Sequence, residues 1–277
     1  MIDITIASIA AGAPVTESRP IPLNERLYRT EAIVLHRMDY GEADRIATIF
    51  TPRRGKVRII AKGARKPLSR LGPHVEYFVR CNLLLAKGRE LDVVSDAATV
   101  DAHEPIRRNL DAFGHASHMV EVLNRLTEDR QENEAAFDLL ASSLRLLADE
   151  VDPWLVTRHY EWALLAILGH RPEMYRCVAC GSDLQAGTNA WSSRLGGTLC
   201  PLCRGADGGS RPVSVNAQKV VRLLDRQGLA AAARLSLDDD LRGEIEGVMA
   251  DYLRQLAERD LSSLRVSRAI LQDTGSA

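Results

Sequence analysis

The sequence predicts an α+β multidomain protein, in which an N-terminal five-stranded OB-fold barrel precedes an α-helical bundle that carries a four-cysteine, zinc-ribbon-like module. Three observations predict this fold class. Short apolar runs alternate with turn residues up to Val94, apolar residues recur at spacings of three and four after Ala102, and two Cys-x-x-Cys pairs interrupt the helical pattern. The expected divisions are an N-terminal extension (1–27), a barrel (28–102) and a helical domain (103–277).

The composition is that of a folded protein. The 277 residues are 45% hydrophobic and 26% charged, with a formal net charge of -1, close to globular averages. All apolar runs fall short of the ~20 residues that a membrane-spanning helix needs, so no membrane partner is expected. Residues 1–15 are apolar but contain no Lys or Arg. A secretion signal requires positive charge there, so we expect a poorly ordered extension instead.

Five predicted strands make up the barrel. Each is an apolar run of strand length that is bounded by turn residues. In chain order the runs are Ala32–Leu35, Arg45–Phe50, Lys56–Ile60, Val75–Ala86 and Leu91–Val94. Five strands within about 75 residues are typical of a small Greek-key barrel such as the OB-fold. The strand face and loops of that barrel commonly bind oligonucleotides.

Positive charge is concentrated in Arg45–Val75, here called the basic stretch. It holds nine Lys and Arg residues and no Asp or Glu, in a chain that is almost neutral. Such a surface attracts polyanions, of which nucleic acid is the commonest; a solvated face without a ligand is the alternative. The predicted DNA contacts are Arg53, Arg54, Lys56, Arg58, Lys62, Arg65, Lys66 and Arg70. Aromatic residues are scarce at 5%, with Tyr77 and Phe78 near the stretch, so phosphate contacts should outweigh base stacking.

Helical signals begin after Ala102. Asn133 and Asp152 are good N-caps, and Gly169 and Gly228 are good helix ends. A further helix is predicted over 215–226. The apolar stripes of three other helices are Ile106, Leu110, Phe113 and Val120; Phe137, Leu140, Leu144 and Leu147; and Leu241, Ile245, Val248, Tyr252 and Leu256.

Four of the five cysteines form a module at about 175–205. Cys177 and Cys180 are separated by nineteen residues from Cys200 and Cys203, with a hairpin predicted around Gly196-Gly197. Four thiolates so spaced are typical of one tetrahedral structural Zn²⁺ ion in a reducing cytosol. Two unrelated reduced pairs are the alternative. The fifth, Cys81, lies in an apolar run and is expected to be a small buried hydrophobe.

A catalytic zinc site is the competing hypothesis for this module. His159 and Glu161 precede the first cysteine pair, as in zinc deaminases, but Arg176 stands where their proline would be. A four-thiolate shell also leaves no open position for water. Phosphate-binding loops and nucleophile elbows are missing from the sequence, so we expect a protein that is not an enzyme.

Several short segments together carry a resemblance to one family. They are Gly41–Ile46, Phe50-Thr51, Gly55, Ala61–Lys66, Ser69–Leu71, Lys87–Leu91, Cys177–Gly181 and Gly196–Cys203. With these residues the chain resembles the RecO family, the bacterial recombination mediators of the RecF pathway. The resemblance covers most of the chain from about Tyr28, whereas the extension over 1–27 departs from the usual family pattern.

The resemblance implies an OB-fold followed by a helical domain with the zinc site. It also implies a non-enzymatic protein of the bacterial cytoplasm and nucleoid that binds single- and double-stranded DNA and anneals complementary strands, including coated ones. Its implied partners are RecR and the C-terminal tail of the single-stranded-DNA-binding protein, with RecA loading as the outcome. Two alternatives stay open: a zinc-ribbon enzyme that processes nucleic acid, and an adaptor that binds acidic protein tails without direct DNA affinity.

Overall fold

A closed five-stranded barrel forms the N-terminal part of the molecule. This computed structural model describes residues 26–273, with side chains described as far as Ala257, so nearly all of the predicted extension lies outside the described residues. The strands are β1 (Leu27–Tyr40), β2 (Asp44–Thr51), β3 (Gly55–Ala61), β4 (Arg80–Ala86) and β5 (Asp92–Asp101). They pair in the order β1-β2-β3-β5-β4. The predicted five-stranded OB-like barrel is confirmed.

Three of the five predicted strands have wrong limits. β1 extends far beyond Ala32–Leu35 at both ends, because it pairs with β4 from Leu27 and with β2 as far as Tyr40. Val75 ends a short 3₁₀ helix (Gly72–Val75), and Phe78 takes a left-handed backbone conformation with φ 66°, so β4 cannot begin before Arg80. The last strand continues to Asp101 because it pairs with β4 along its length. Polar residues in that extension hid it from a search for apolar runs.

The barrel interior is filled by alternate residues of its strands. Val34, Ile49, Ile59, Leu83 and Leu85 all lie in the interior cluster and are at most 1% exposed. Complete burial of each such side chain contributes about 1.5–3 kcal/mol. Cys81 belongs to the same cluster, and burial raises the pKa of its thiol to about 12. It is the small buried hydrophobe that its apolar run predicts.

Six helices follow the barrel in the part of the chain that the structure describes. They are α1 (Glu104–Arg108), α2 (Leu110–Leu126), α3 (Glu134–Ala148), α4 (Pro153–Ile167), α5 (Val215–Ala232) and α6 (Asp239–Asp273). Asn133 and Asp152 accept hydrogen bonds from the first backbone N–H groups of α3 and α4, which confirms both predicted caps.

One helical prediction needs correction, and another is confirmed. Leu110 is 87% exposed because Asn109 ends α1 and caps α2, which breaks the apolar stripe there. Gly228 takes a non-helical conformation (φ 71°, ψ -166°) that divides α5 into two helical segments, so the first segment ends where the sequence predicted. Glycine tolerates positive φ, which permits the kink.

The barrel and the helices share one apolar core. Ile33, Leu35 and Phe50 point away from the barrel interior and join the cluster formed by the helices. The rings of Phe50 and Phe137 stack with centroids 6.5 Å apart. Helix α3 therefore covers the outer face of β2 at this end of the strand.

The β2–β3 turn is clasped by the loop between α2 and α3. Gly55 has φ 55°, and a Cβ atom there would lie 2.0 Å from the carbonyl oxygen of Gln131. The backbone of Lys56 accepts a 3.0 Å hydrogen bond from Arg130 N–H, and Pro52 accepts one of 3.2 Å from Asn133. Only glycine allows so close an approach with that backbone conformation.

A small sheet separates α4 from α5. It consists of β6 (Asn189–Ser192), β7 (Gly197–Leu199) and β8 (Arg211–Val213), in the order β7-β6-β8. The β6–β7 pair is the hairpin predicted around Gly196-Gly197. Among the described residues, none of the helices has the length and apolar character required to cross a membrane.

Candidate functional site

The four predicted metal ligands come together at one point. Their sulfur atoms all lie within 4.8 Å of one another, and the Sγ atoms of Cys180 and Cys200 are 3.9 Å apart. Cys177 is buried, Cys180 is exposed, and Cys200 and Cys203 are half-buried. Among residues 26–257, these four cysteines are the group of His, Cys, Asp and Glu side chains whose ligand atoms lie close enough together to hold one metal ion. The cluster is a potential metal site with thiolate ligands.

Local backbone geometry prepares this cluster for a cation. Both Cys-x-x-Cys segments are tight turns: Gly181 N–H donates to the carbonyl of Cys177 (2.8 Å), and Cys203 N–H to that of Cys200 (3.0 Å). Burial opposes ionisation of Cys177, but backbone N–H groups led by that of Cys200 outweigh it and lower its pKa to about 6. Hydrogen bonds with Cys180 and Cys200 raise the pKa of Cys203 to about 12. The lowered pKa of Cys177 favours its thiolate, and the thiolate is the form of cysteine that binds metal.

The module is fastened to the helices on both sides. Trp191 of β6 is 2% exposed and meets the ring of Tyr252 on α6 edge to face, with centroids 5.6 Å apart. Asp225 of α5 accepts hydrogen bonds from Trp162 Nε1 (2.7 Å) and Tyr175 OH (2.8 Å). The cysteines are thus held by elements that also build the helical core.

The residues of the catalytic alternative lie elsewhere in the helical core. Burial lowers the pKa of His159 on α4. Glu161 is fully buried and pairs with His118 Nε2 at 2.6 Å and with Arg158 at 3.1 Å. Its charge is compensated by these neighbours, as expected for a carboxylate inside a bundle.

The structure divides the predicted DNA contacts into two groups. Side chains that are exposed to solvent are those of Arg53, Arg58, Lys62, Arg65, Lys66 and Arg70. Lys62 to Arg70 lie on the loop after β3, and Arg58 points outward from β3 itself. Six of the eight cations are therefore accessible: five lie on β3 and the loop that follows it, and Arg53 lies on the β2–β3 turn at the other end of β3.

Arg54 and Lys56 form the second group. Lys56 is 8% exposed, and its Nζ donates to the carbonyl of Asn124 (2.7 Å) and pairs with Asp129 (3.4 Å). The guanidinium of Arg54 lies 4.2 Å from the ring centroid of Tyr28. Sequence spacing could not separate them from their neighbours, because Asn124 and Asp129 lie far along the chain.

Two carboxylates of the barrel end neutralise part of the basic stretch. Glu76 pairs with Arg45 at 2.6 Å, and Asp39 pairs with Arg45 at 3.5 Å and Arg65 at 3.3 Å. Lys66 lines a cleft of about 450 Å³ next to this network. Arg65 is therefore positioned by Asp39. The Lys66 side chain is exposed, and its ammonium group makes no ion pair or hydrogen bond with the residues that the structure describes.

Sequence reasoning missed the exposed apolar residues of β1. Met38 is 50% and Tyr40 is 53% exposed. Tyr77 and Phe78, the aromatics that the sequence singled out, are half-buried and buried, and both rings contact Phe113. Sequence alternation gave no usable signal here, because counting from the inward-facing Ala32 and Val34 would place Met38 and Tyr40 inward as well.

Together these features define a class: proteins that join an OB-like barrel with exposed cations to a helical region with a potential four-cysteine metal site. Two family models match the chain, "Recombination protein O N terminal" over residues 26–103 and "Recombination protein O C terminal" over residues 107–265. The chain belongs to the RecO family of DNA repair proteins, as its motifs predicted.

Curated relatives agree. A "DNA repair protein RecO" from Roseiflexus sp. (strain RS-1) is 43% identical over 87% of this chain and 85% of the relative. Proteins of the same description from Pelotomaculum thermopropionicum and Moorella thermoacetica are 37% and 33% identical, over 86% and 90% of this chain and 92% of each relative.

Proposed function

We propose that this protein is a non-enzymatic recombination mediator of the bacterial cytoplasm and nucleoid. It binds single- and double-stranded DNA, anneals complementary strands, including coated ones, and assists the loading of RecA together with RecR. The barrel (28–102) supplies the DNA surface, and the helical domain (103–277) supplies partner contacts. Family membership and the exposed cations of the barrel support this proposal.

The observation that carries it is the accessible cluster of Arg58, Lys62, Lys66 and Arg70 on an OB-like barrel. Annealing makes and breaks no covalent bond; it requires two negatively charged polymers to approach each other. Cations that displace condensed counterions lower that repulsion and make binding depend steeply on salt. Contacts to phosphates carry no sequence information, which suits a protein that must act on any strand.

Zn²⁺ is the ion that we assign to the cysteine cluster, as one structural ion. Sulfur atoms around a tetrahedral zinc with Zn–S bonds of about 2.3 Å lie roughly 3.8 Å apart. The 3.9 Å separation of the Cys180 and Cys200 Sγ atoms fits that geometry. When bound, the ion would be held by Cys177, Cys180, Cys200 and Cys203 and would cross-link the segment between α4 and α5.

A groove between α2 and α6 suits the acidic tail of the single-stranded-DNA-binding protein. It measures about 190 Å³ and is lined by Val122, Leu126 and Leu253, with Arg125 and Arg254 at its rim. The two arginines pair with Glu121 and Asp251 of their own helices. Such surface pairs contribute at most about 1 kcal/mol, so an acidic peptide can replace them while its apolar residues enter the groove.

The alternatives differ in what they predict for DNA. A nucleic-acid-processing enzyme needs a reactive centre that substrate can reach, whereas Glu161 is fully buried in the helical core, where its Oε1 atom pairs with His118 and Arg158. An adaptor would use the exposed cations of the barrel to bind acidic protein tails, so it predicts partner binding without direct DNA affinity. An oligonucleotide that is shortened or deaminated on incubation would favour the enzyme.

Fluorescence anisotropy of labelled single-stranded and duplex DNA across a salt series tests the proposal. The variant Arg58→Gln/Lys62→Gln/Lys66→Gln removes three exposed cations of the barrel. Its matched control, Arg145→Gln/Lys219→Gln/Arg234→Gln, removes three exposed cations of the helical region, two on helices and one in the turn after α5. We expect the barrel variant to lose affinity for both DNA forms and to have a salt slope shallower by about 2–3. Equal behaviour of the two variants, or no binding by the wild type at low salt, would reject the barrel as the DNA surface.

A further inference from the structure

The end of β1 presents a row of large side chains to solvent. Val34 points into the barrel, and Leu35 is an extra residue that shifts the pairing between β1 and β2. Past such a bulge, the opposite set of alternate residues faces outward. Here that set is His36, Met38 and Tyr40.

These residues continue into cross-strand rows on the same face. Since paired residues of neighbouring strands lie on one side of a sheet, the register gives the members of each row. The two rows are His36–Thr48–Arg58 and Met38–Ile46–Ile60. Each begins with an exposed residue of β1, so the first three strands form one continuous outer face.

The second row contains two largely covered isoleucines, and its β1 end is exposed to solvent. Ile46 is 8% exposed and Ile60 is half-buried, whereas Met38 is 50% and Tyr40 is 53% exposed. Farther along β2, Phe50 is covered by α3, so the helices occupy one half of this face and leave the other half accessible. We call the accessible half, formed by Met38, Tyr40 and Ile60, the apolar platform.

Charge around the apolar platform is distributed unevenly. Arg58 and Lys62 flank Ile60 on the β3 side, and both are exposed. Acidic residues lie at the β1–β2 turn, where Glu42 is exposed and Asp44 accepts a 2.8 Å hydrogen bond from Gly63 N–H. The charged groups of a polyanion are therefore attracted along β3 and repelled from the turn beside Tyr40, whose register partner is Asp44, so the exposed face of Tyr40 suits uncharged groups.

We propose that the apolar platform stacks the unpaired bases of single-stranded DNA on Tyr40 and Met38, while Arg58 and Lys62 contact the adjacent phosphates. The proposal rests on the proposed function and makes it specific for one form of DNA. A base presents a flat apolar face, and a half-exposed tyrosine beside a methionine on a rigid strand is a suitable partner for it. The positive charges of Arg58 and Lys62 on the β3 side complement the phosphates and so direct the DNA backbone along β3.

Two kinds of contact then serve two forms of DNA. The cations of the Gly63–Pro73 loop reach phosphates, which single strands and duplexes both expose. Tyr40 and Met38 reach bases only where these are unpaired, because in a duplex the base faces are stacked inside the helix. The apolar platform would thus favour single strands without reading their sequence.

The test compares three Tyr40 variants of the full chain by anisotropy with labelled oligothymidylate and with a labelled duplex. Tyr40→Ala should weaken oligothymidylate binding by roughly 5- to 150-fold, the range found for removing one base–aromatic stack. Tyr40→Phe should stay within about twofold of the wild type, because it keeps the ring. Val100→Ala, a substitution of an equally exposed apolar residue on β5 (48%), should change neither affinity.

Tyr40→Trp supplies a direct reading of stacking. The native tryptophans, Trp154, Trp162 and Trp191, are all at most 9% exposed, so the new indole would be the accessible emitter. Oligothymidylate should quench its fluorescence, and the duplex should not. Unchanged oligothymidylate affinity of Tyr40→Ala, or an equal loss on the duplex, would overturn the inference while leaving the proposed function intact. Failure of the wild type to bind either form would overturn both.

Discussion

The ammonium group of Lys56 lies 2.7 Å from the carbonyl oxygen of Asn124, at the end of α2. A cation from the most basic part of the chain is thereby used to join the barrel to the helices. The same ammonium group forms an ion pair with Asp129 at 3.4 Å. A cation in a basic segment of the sequence is therefore not necessarily available to bind a ligand.

Replacement of Lys56 by methionine should lower stability more than DNA affinity. The change leaves the Asn124 carbonyl without its charged donor, which should cost about 1–3 kcal/mol of unfolding free energy. Urea denaturation measures this loss. The control is Arg58→Met, an exposed cation on the same strand, for which we expect the opposite: near-normal stability and weaker DNA binding. Matching effects of the two variants would contradict the structural role of Lys56.

Gly55→Ala should be among the most damaging single substitutions in the barrel. Its Cβ would lie 2.0 Å from the carbonyl oxygen of Gln131, at a backbone φ of 55°. Gly41 has the same φ but nothing within 4 Å of an added Cβ, so Gly41→Ala isolates the backbone strain of about 1 kcal/mol. We expect Gly55→Ala to lose at least about 2 kcal/mol more than Gly41→Ala in urea unfolding. Similar losses would show that the α2–α3 loop yields easily.

Substitution of Cys200 by serine should reduce both metal content and thermal stability. One of four ligands is lost, and binding free energy at such sites contributes directly to folding. Elemental analysis should find about one zinc per wild-type chain and much less in the variant. Cys81→Ala is the matched control, since Cys81 lies in the barrel interior; it should retain the zinc. Full zinc content in Cys200→Ser would disprove its role as a ligand.

Asp225→Asn should show a pH-dependent loss of stability. Burial opposes ionisation of Asp225, but hydrogen bonds from Trp162, Arg171 and Tyr175 outweigh it and lower its pKa. A lowered pKa stabilises the fold above the unfolded-state value of about 4, and this stabilisation disappears as the pH falls through the lower folded value. The variant should therefore be less stable by about 1–3 kcal/mol at neutral pH.

Urea unfolding across a pH series should show that gap narrowing below about pH 4. Asp183→Asn, at a carboxylate that is 77% exposed and paired with exposed Arg176, should have little effect at any pH. If the difference in unfolding free energy between the wild type and Asp225→Asn stayed constant down to low pH, the hydrogen-bond donors around Asp225 would not be lowering its pKa.

Local pattern was sufficient for much of this fold. The barrel strands were predictable because inward residues such as Ile49 and Ile59 alternate with outward ones, and the caps of α3 and α4 because Asn133 and Asp152 act within three residues. The clustering of the four cysteines was predictable because two Cys-x-x-Cys pairs at this spacing are typical of one tetrahedral site. In each case the pattern could be recognised from residue types and spacing alone.

What the sequence left unpredicted depends on distant contacts or on a single residue. The burial of Lys56 depends on Asn124, which is 68 residues away. The exposure of Leu110 follows from the capping geometry of Asn109. The outward direction of Tyr40 depends on the extra residue at Leu35, which alternation counted from Ala32 would not include.

The outward set of β1 depends on the number of residues that follow the bulge at Leu35. Loss of Leu35 itself would restore simple pairing and leave Met38 and Tyr40 facing outward, because His36 would still pair with Thr48. Loss of Arg37 would instead move Met38 and Tyr40 to inward-facing positions and Asp39 outward, and it would break the ion pairs with Glu76 and Arg65. Relatives of this chain should therefore vary in the identity of the residues from His36 to Tyr40 far more readily than in their number.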